Sequence, residues 1–426
     1  MSKISQHLFR FSIILLLTLS ACSSTLAPQN ISETNADVPH DEADATSTSE
    51  PVQNPNSTPT SLSLPTEQEK TPGSETPTEA LSPENQGVIN PLTGLPAQNP
   101  DYLDLPPALV SISNFPASGR PQAGLSFSPI TFEIAIGEGM TRFLAMFYGQ
   151  FPGTVSGQTE GDTATIGPIR SGRLSYEDIR ATYSGFLVMA SAWEGISTNL
   201  NDSTSVYGTG DDINSATVNS DRLIEIARSE AQGYPGSNFS LEGMTFSEAP
   251  PEDGQKADQA WVYYSLLNQV QWRYDEAAGA YVRYDIKTDG SGEFEMSTDR
   301  LNGRPVSREN VVVIFAEHDY QAPTLIDIDL INKPPTEALL FRNGMVYNIF
   351  WTTRFGDYEK ETGLLRPMRF VDENGSPIPL KPGQTWISVV SMDSYYLESA
   401  LSEQPFFPVI EDEGTGLWLI RYKGKY

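Results

Sequence analysis

The densest chemical signal in this 426-residue chain is a set of arginines in turn-rich surroundings. Arg120 stands in Gly119-Arg-Pro-Gln-Ala-Gly124, Arg142 in Gly139-Met-Thr-Arg142, and Arg170 and Arg173 in Ile166-Gly-Pro-Ile-Arg-Ser-Gly-Arg173. Glycine allows positive-φ turns and close backbone approach, and a guanidinium is a planar fork matched to carboxylate or phosphate. Brought together, these segments would form a small anion pocket, completed by Thr141, Ser171 and free backbone N–H groups. The competing use is internal, with Arg142 or Arg170 satisfying Glu133 or Glu138, because a buried charge needs a partner.

Those two carboxylates offer a second chemistry. Glu133 and Glu138 flank the turn Gly137-Glu-Gly139, and glycoside hydrolysis needs only two carboxyl groups at the right separation. A hydrolase acting on cell-wall glycan, with Glu133 and Glu138 as acid and base, is therefore the alternative to a binding site. Other chemistries have little material. Two of the three histidines, His7 and His40, precede any foldable sequence, so a Ser-His-Asp triad would rest on His318 in Ala316-Glu-His-Asp-Tyr320. No P-loop or dinucleotide fingerprint is present, and neither a metal site nor a cofactor is expected. With 55 acidic and 27 basic residues the net charge is -28, which opposes bulk binding to nucleic acid or to an anionic bilayer.

The N-terminus has a short basic head (Lys3, Arg10) and an apolar run from Phe11 to Leu19, shorter than the roughly 20 residues a membrane span requires. It reads as a signal peptide over residues 1–21, ending in Leu19-Ser20-Ala21-Cys22, a lipobox. Cys22 is the only cysteine, so the mature fold has no disulfide and no thiol site; its expected use is lipidation, which would hold the chain on the outer face of the cytoplasmic membrane. Residues 22–85 are rich in Ser, Thr, Pro, Asn, Glu and Asp and poor in core-forming side chains. They read as an acidic, disordered tether with a span of roughly 40–50 Å.

Two domains are expected beyond the tether, at 86–250 and 255–426, separated by the break Glu248-Ala-Pro-Pro-Glu-Asp-Gly254. In the first, strands are expected at Ala108–Ser113, Pro129–Ile136, Thr141–Phe147 and Gly185–Ser191, and helices at Ser175–Thr182 and Ser220–Ala231. In the second, Gln271–Tyr274 and Tyr281–Asp285 form a hairpin, Asn343-Gly344 signals a type I′ turn, and further strands cover Val311–Ala316, Thr324–Leu330 and Thr385–Ser391. The class is α+β, with a mixed α/β sandwich-like first domain and a mainly antiparallel β second domain.

These segments, in this order, resemble the YerB-like lipoproteins. The resemblance is carried by Asn90-Pro-Leu-Thr-Gly-Leu-Pro96, Arg120-Pro-Gln-Ala-Gly-Leu-Ser126, Glu133, Gly137-Glu-Gly-Met-Thr-Arg-Phe143 and Ile166–Arg173, with weaker pieces at Asn310–Val313 and Pro382–Ile387. It implies a membrane-anchored, two-domain envelope protein and no particular activity. Where such proteins tend to have a His-Asn pair ahead of a helix, this chain has Val218-Asn219, and Trp193-Glu-Gly195 replaces a turn often holding histidine or glycine. Asn219 joins the candidate ligand residues on that basis. The resulting expectation is a non-enzymatic envelope lipoprotein binding an anionic wall fragment or an envelope protein; exposed Tyr and Trp side chains of the β domain would add contact surface, although core packing is the favoured use of those aromatics. A third reading makes its main role the presentation or regulation of another envelope protein.

Overall fold

Runs such as Ile130–Gly137 place apolar side chains at both parities, which a strand accommodates when both of its faces are covered. That is how they are used in a computed structural model of the chain, which describes residues 87–153, 164–233, 239–400 and 410–425. The signal peptide, Cys22 and the tether lie outside the described residues. The N-terminal part contributes β1 (Ala108–Ser113), β2 (Ile130–Gly137), β3 (Met140–Phe147), β4 (Thr165–Ile166), α1 (Ser175–Thr182), β5 (Phe186–Met189), α2 (Glu194–Ser197), β6 (Ser203–Ser205), β7 (Val218–Asn219) and α3 (Ser220–Gly233).

The C-terminal part begins with β8 (Gln255–Lys256), β9 (Gln259–Ser265), β10 (Asn268–Asp275), β11 (Ala280–Ile286), β12 (Phe294–Met296) and β13 (Ser307–Arg308). It continues through β14 (Asn310–Ala322), β15 (Leu325–Asp329), β16 (Thr336–Arg342), β17 (Met345–Thr352), α4 (Asp357–Thr362) and β18 (Arg369–Val371). The last strands are β19 (Thr385–Ser391), β20 (Tyr395–Glu398) and β21 (Leu417–Arg421).

A twelve-stranded sheet runs in the order β18-β17-β16-β14-β19-β2-β3-β1-β5-β6, with β15 and β8 attached at its side. A second sheet runs β12-β11-β10-β9-β21-β20 with β13 on β11. One core lies between the two, joining Val110, Phe143, Val313 and Trp386 of the large sheet to Val262, Trp272, Tyr281 and Ile420 of the small one. The opposite face of the large sheet packs Phe132, Leu144, Val312 and Ile387 with Tyr176 and Ile179 of α1. Successive strand residues therefore enter different cores, and the alternation is of partners rather than of polarity.

The molecule is α+β with strand far exceeding helix, but the sheet does not follow the organisation expected from composition. The break at 248–254 does not divide it, because β19 lies parallel to β2 on one side and to β14 on the other. The C-terminal part is also less antiparallel than expected, since β21 runs parallel to β9. Parallel pairing joins segments distant in sequence, so no hairpin turn announces it. By contrast, β1, α1 and β19 have the expected bounds, and the Asn343-Gly344 turn has φ of 54° and 71°, as a type I′ hairpin requires. β14 runs on to Ala322, well past the expected end at Ala316.

Asp178 on α1 accepts the Leu330 N–H at 2.8 Å. Burial, reinforced by Asp327, Asp329 and Glu177, pushes its carboxyl up to about 6. The native state thus holds this proton through a range where the unfolded chain has released it, so stability falls as pH rises from about 4 to about 6. Asp178→Asn keeps an acceptor for Leu330 and removes the charge. Thermal melts should show the variant a few degrees more stable than wild type at pH 7.5, with the difference closing near pH 4.

Candidate functional site

Strand parity decides where the candidate residues go. On β2, Ile130, Phe132 and Ile134 face the α1 side, which leaves Thr131 and Glu133 facing the small sheet. Glu133 is 0% exposed. Its carboxylate receives Arg283 Nη1 of β11 at 2.8 Å, Thr141 Oγ1 at 2.8 Å and Trp386 Nε1 at 3.2 Å. Arg283 also reaches Asp285 Oδ1 at 2.9 Å and lies 4.6 Å from the Trp386 ring centroid and 5.0 Å from that of Phe143. Burial opposes the charge of Arg283, but the two carboxylates more than offset it and raise its pKa; Asp285, also buried, is held below the usual carboxylate range by Arg283 and Arg120. This is a buried, ion-paired polar cluster.

The acid–base pair expected of Glu133 and Glu138 is not built. Glu133 is sealed in the cluster, while Glu138 is exposed at the β2–β3 turn with φ of 52°. Thr141 does not complete an anion pocket either. It gives its hydroxyl proton to Glu133 and accepts from Asn114 Nδ2 and Asn268 Nδ2. Arg120 extends the same network, donating to Asn114 Oδ1 at 2.9 Å and to Ile286 O at 3.4 Å. His318 lies inside β14 rather than after a strand; its Nδ1 is 2.9 Å from Ala316 O, and burial lowers its pKa to about 4. Asn219 accepts the Arg222 N–H at 2.8 Å and so caps α3.

Arg142 points the other way. As the neighbour of Thr141 on β3 it faces the α1 side, where it donates to Ser171 O at 2.8 Å beside the Tyr176 hydroxyl. Arg170 and Arg173 are close enough to depress its charged state, although burial is the larger cause of a fall to about 10. Arg170 is anchored through its backbone to β1 and β5, by Arg170 N to Ser111 O and Ala190 N to Arg170 O. Its guanidinium donates to Ile213 O and Asn214 Oδ1. Arg173 donates to Gly172 O at 3.0 Å, one residue before α1 begins its approach without a side-chain cap. Arg142 and Arg170 are each 7% exposed. The Nε of all three is buried without a hydrogen-bond partner, and none pairs with a carboxylate among the described residues.

The expected cluster thus reduces to Arg142, Arg170, Arg173 and Ser171. Three neighbouring guanidiniums suit an incoming carboxylate or phosphate. Residues missing from the sequence reading are Arg283, Asp285, Asn114 and Trp386, which occupy other segments of the chain. The pair Arg283 and Asp285, two apart on one strand, was the only local trace of the closed cluster.

Residues 92–236 match the N-terminal domain, and residues 260–387 the C-terminal domain, of a family described as "Protein of unknown function (DUF3048)". A Bacillus subtilis (strain 168) protein named "Putative lipoprotein YerB" is 26% identical over 318 residues, covering 70% of this chain and 85% of that protein. The chain belongs to the YerB-like family. The crystal structure of the Bacillus subtilis YerB protein has the same fold, with a TM-score of 0.53 and 24% identity over 71% of this chain and 96% of that one. In this YerB-like chain the arginine trio lies within the N-terminal match, while Arg283 and Trp386 lie within the C-terminal one. The closed cluster therefore joins the two matched regions, and the trio belongs to one of them.

The two sets of arginines should respond oppositely to substitution. Arg283→Met leaves Glu133 and Asp285 buried without their cation and should cost about 3–5 kcal/mol in urea unfolding at neutral pH. Arg142→Met removes a charge that its surroundings disfavour, at the expense of one bond to a carbonyl, and should leave stability unchanged or raised.

Proposed function

We propose that this YerB-like protein is an extracytoplasmic lipoprotein that binds an anionic envelope ligand through Arg142, Arg170 and Arg173, with Ser171 beside them. The observation that carries this reading is the gathering of three guanidiniums, two of them buried, with no carboxylate at ion-pair distance among the described residues, Asp212 acting on Arg170 only from further away. In a chain of net charge -28 acidic side chains are plentiful, and the closed cluster around Arg283 illustrates how such a charge is ordinarily satisfied. Like charges held together raise the energy of the unliganded protein, and an anion arriving from outside relieves it. The guanidiniums would fix the ligand by paired hydrogen bonds, with no covalent step.

The anchoring part of the reading rests on the Leu19-Ser20-Ala21-Cys22 lipobox and on the lipoprotein name of the Bacillus subtilis relative. Among the described residues no helix is long and apolar enough to cross a membrane. Lipid on Cys22 and the tether after it would confine the binding domain to a zone close to the outer face of the cytoplasmic membrane, where wall carboxylates and phosphates are concentrated. Neither a nucleic acid nor a cofactor enters this reading.

Thermal melts of the full-length chain in detergent test the site. Inorganic phosphate, titrated against chloride at constant ionic strength, should raise Tm progressively, since a ligand selective for the native state stabilises it by about 2.7 kcal/mol at a hundred times its Kd. The double variant Arg170→Ala, Arg173→Ala should remain folded and lose the increment; an equal increment in the variant refutes the site. Cys22→Ser tests the anchor, and the expected result is transfer of the chain from the membrane to the soluble fraction.

A further inference from the structure

The arginine trio has an aromatic border that the binding of a bare anion does not use. Of the six tryptophans in the chain, Trp261, Trp272, Trp351 and Trp386 are fully buried and Trp418 nearly so, whereas Trp193 is 63% exposed. Tyr207 is 74% exposed. Both come from segments that hold the arginines in place. Gly172, between Ser171 and Arg173, donates its N–H to Ser191 O at 2.9 Å, and a Cβ there would lie 3.6 Å from that of Ala192, next to Trp193. Val206, the residue before Tyr207, donates to Met189 O at the end of β5, and the loop that follows supplies the Ile213 and Asn214 acceptors of Arg170.

The Trp193 indole is also seated. A Cβ on Gly195 would fall 2.3 Å from two of its ring atoms, so the ring lies against the backbone of α2 where only glycine leaves space. An indole seated in this way and 63% exposed stands one residue from Ala192, which adjoins the Gly172 backbone between Ser171 and Arg173. Between the two aromatics Asn201, Ser197 and Ser203 hydrogen-bond to Glu177, Glu194 O and Leu200 O, while Thr198, Asn199 and Ser205 are exposed and suited to hydrogen-bonding hydroxyls.

We infer that the site takes an anionic saccharide, with a sugar ring on the Trp193 indole, Tyr207 beside it, and the carboxylate or phosphate of the sugar held by Arg170 and Arg173. This rests on the anion site proposed for the trio. The C–H face of a pyranose is apolar and matches an aromatic face, its hydroxyls match Thr198, Asn199 and Ser205, and its acidic group matches a guanidinium fork. In a strongly acidic protein the arginines also set selectivity, because a neutral sugar gains only the stacking and hydroxyl contacts.

Calorimetric titration of the full-length chain in detergent with three probes tests this: an oligogalacturonate tetrasaccharide, an N-acetylglucosamine tetrasaccharide and inorganic phosphate. The acidic tetrasaccharide should bind, with a change in Trp193 fluorescence, and the neutral one should bind at least tenfold more weakly. Trp193→Ala should weaken the acidic tetrasaccharide about tenfold and leave phosphate unchanged. Gly195→Ala, which keeps the indole but displaces it, should cause a smaller loss of the same kind. The saccharide assignment is overturned, with the anion site intact, if phosphate binds while the acidic tetrasaccharide does not, if both tetrasaccharides bind alike, or if both variants titrate as wild type. Failure of wild type to bind either phosphate or the acidic tetrasaccharide removes the anion site itself.

Discussion

Arg283 carries a full charge into the space between two sheets, and much of the architecture serves to keep that charge accompanied. Glu133 reaches it from β2 of the large sheet and Asp285 from its own strand, β11. Phe143, Trp272 and Trp386 stand around the guanidinium with ring centroids 4.6 to 5.5 Å away. A slip of one residue in β2 would turn Glu133 to the α1 side and strand the arginine, so the cluster constrains the register of the sheet as well as its distance from the second one. Thr141, Asn114 and Asn268 extend the constraint by hydrogen bonds to β3 and β10. A buried ion pair is a poor source of net stability against an apolar core of equal volume; its contribution here is to make alternative pairings costly.

β3 separates this satisfied chemistry from the unsatisfied kind. Thr141 and Arg142 are adjacent in sequence and belong to opposite faces, one closing a network and the other facing Arg170 and Arg173. Nothing in the packing of the α1 side demands three cations, since Tyr176, Ile179 and Met189 already fill a core there. An apolar residue in place of Arg142 would spare the desolvation that depresses its charged state.

Local chemistry was legible in the sequence where local rules apply. The bounds of β1, α1 and β19, the type I′ turn at Asn343-Gly344 and the approach of Arg142 to Arg170 and Arg173 follow from periodicity, turn preference and glycine spacing. The parity of β3 was equally available, and it rules Thr141 out of any pocket lined by Arg142. What the sequence did not carry was the identity of remote partners. Glu133 and Arg283 are 150 positions apart, and the parallel pairing of β19 with β2 and β14 has no connecting turn to reveal it. For the tryptophans of the C-terminal part core packing was the favoured expectation over a contact surface, and the strands do place them in the core; the exposed one is Trp193.

The placement of β19 has a consequence for how the molecule comes into being. β2 is made early, and its hydrogen-bonding neighbour on the side away from β3 begins only at Thr385. Chains are synthesised from the N-terminus, so the β2-β3-β1 group must wait with an apolar, unpaired edge on β2 while most of the remaining protein is produced. Such an edge invites pairing with other chains, and the long sequence separation slows the correct closure. β19 therefore acts as a keystone delivered late, turning an aggregation-prone border of a growing chain into the interior of a finished sheet.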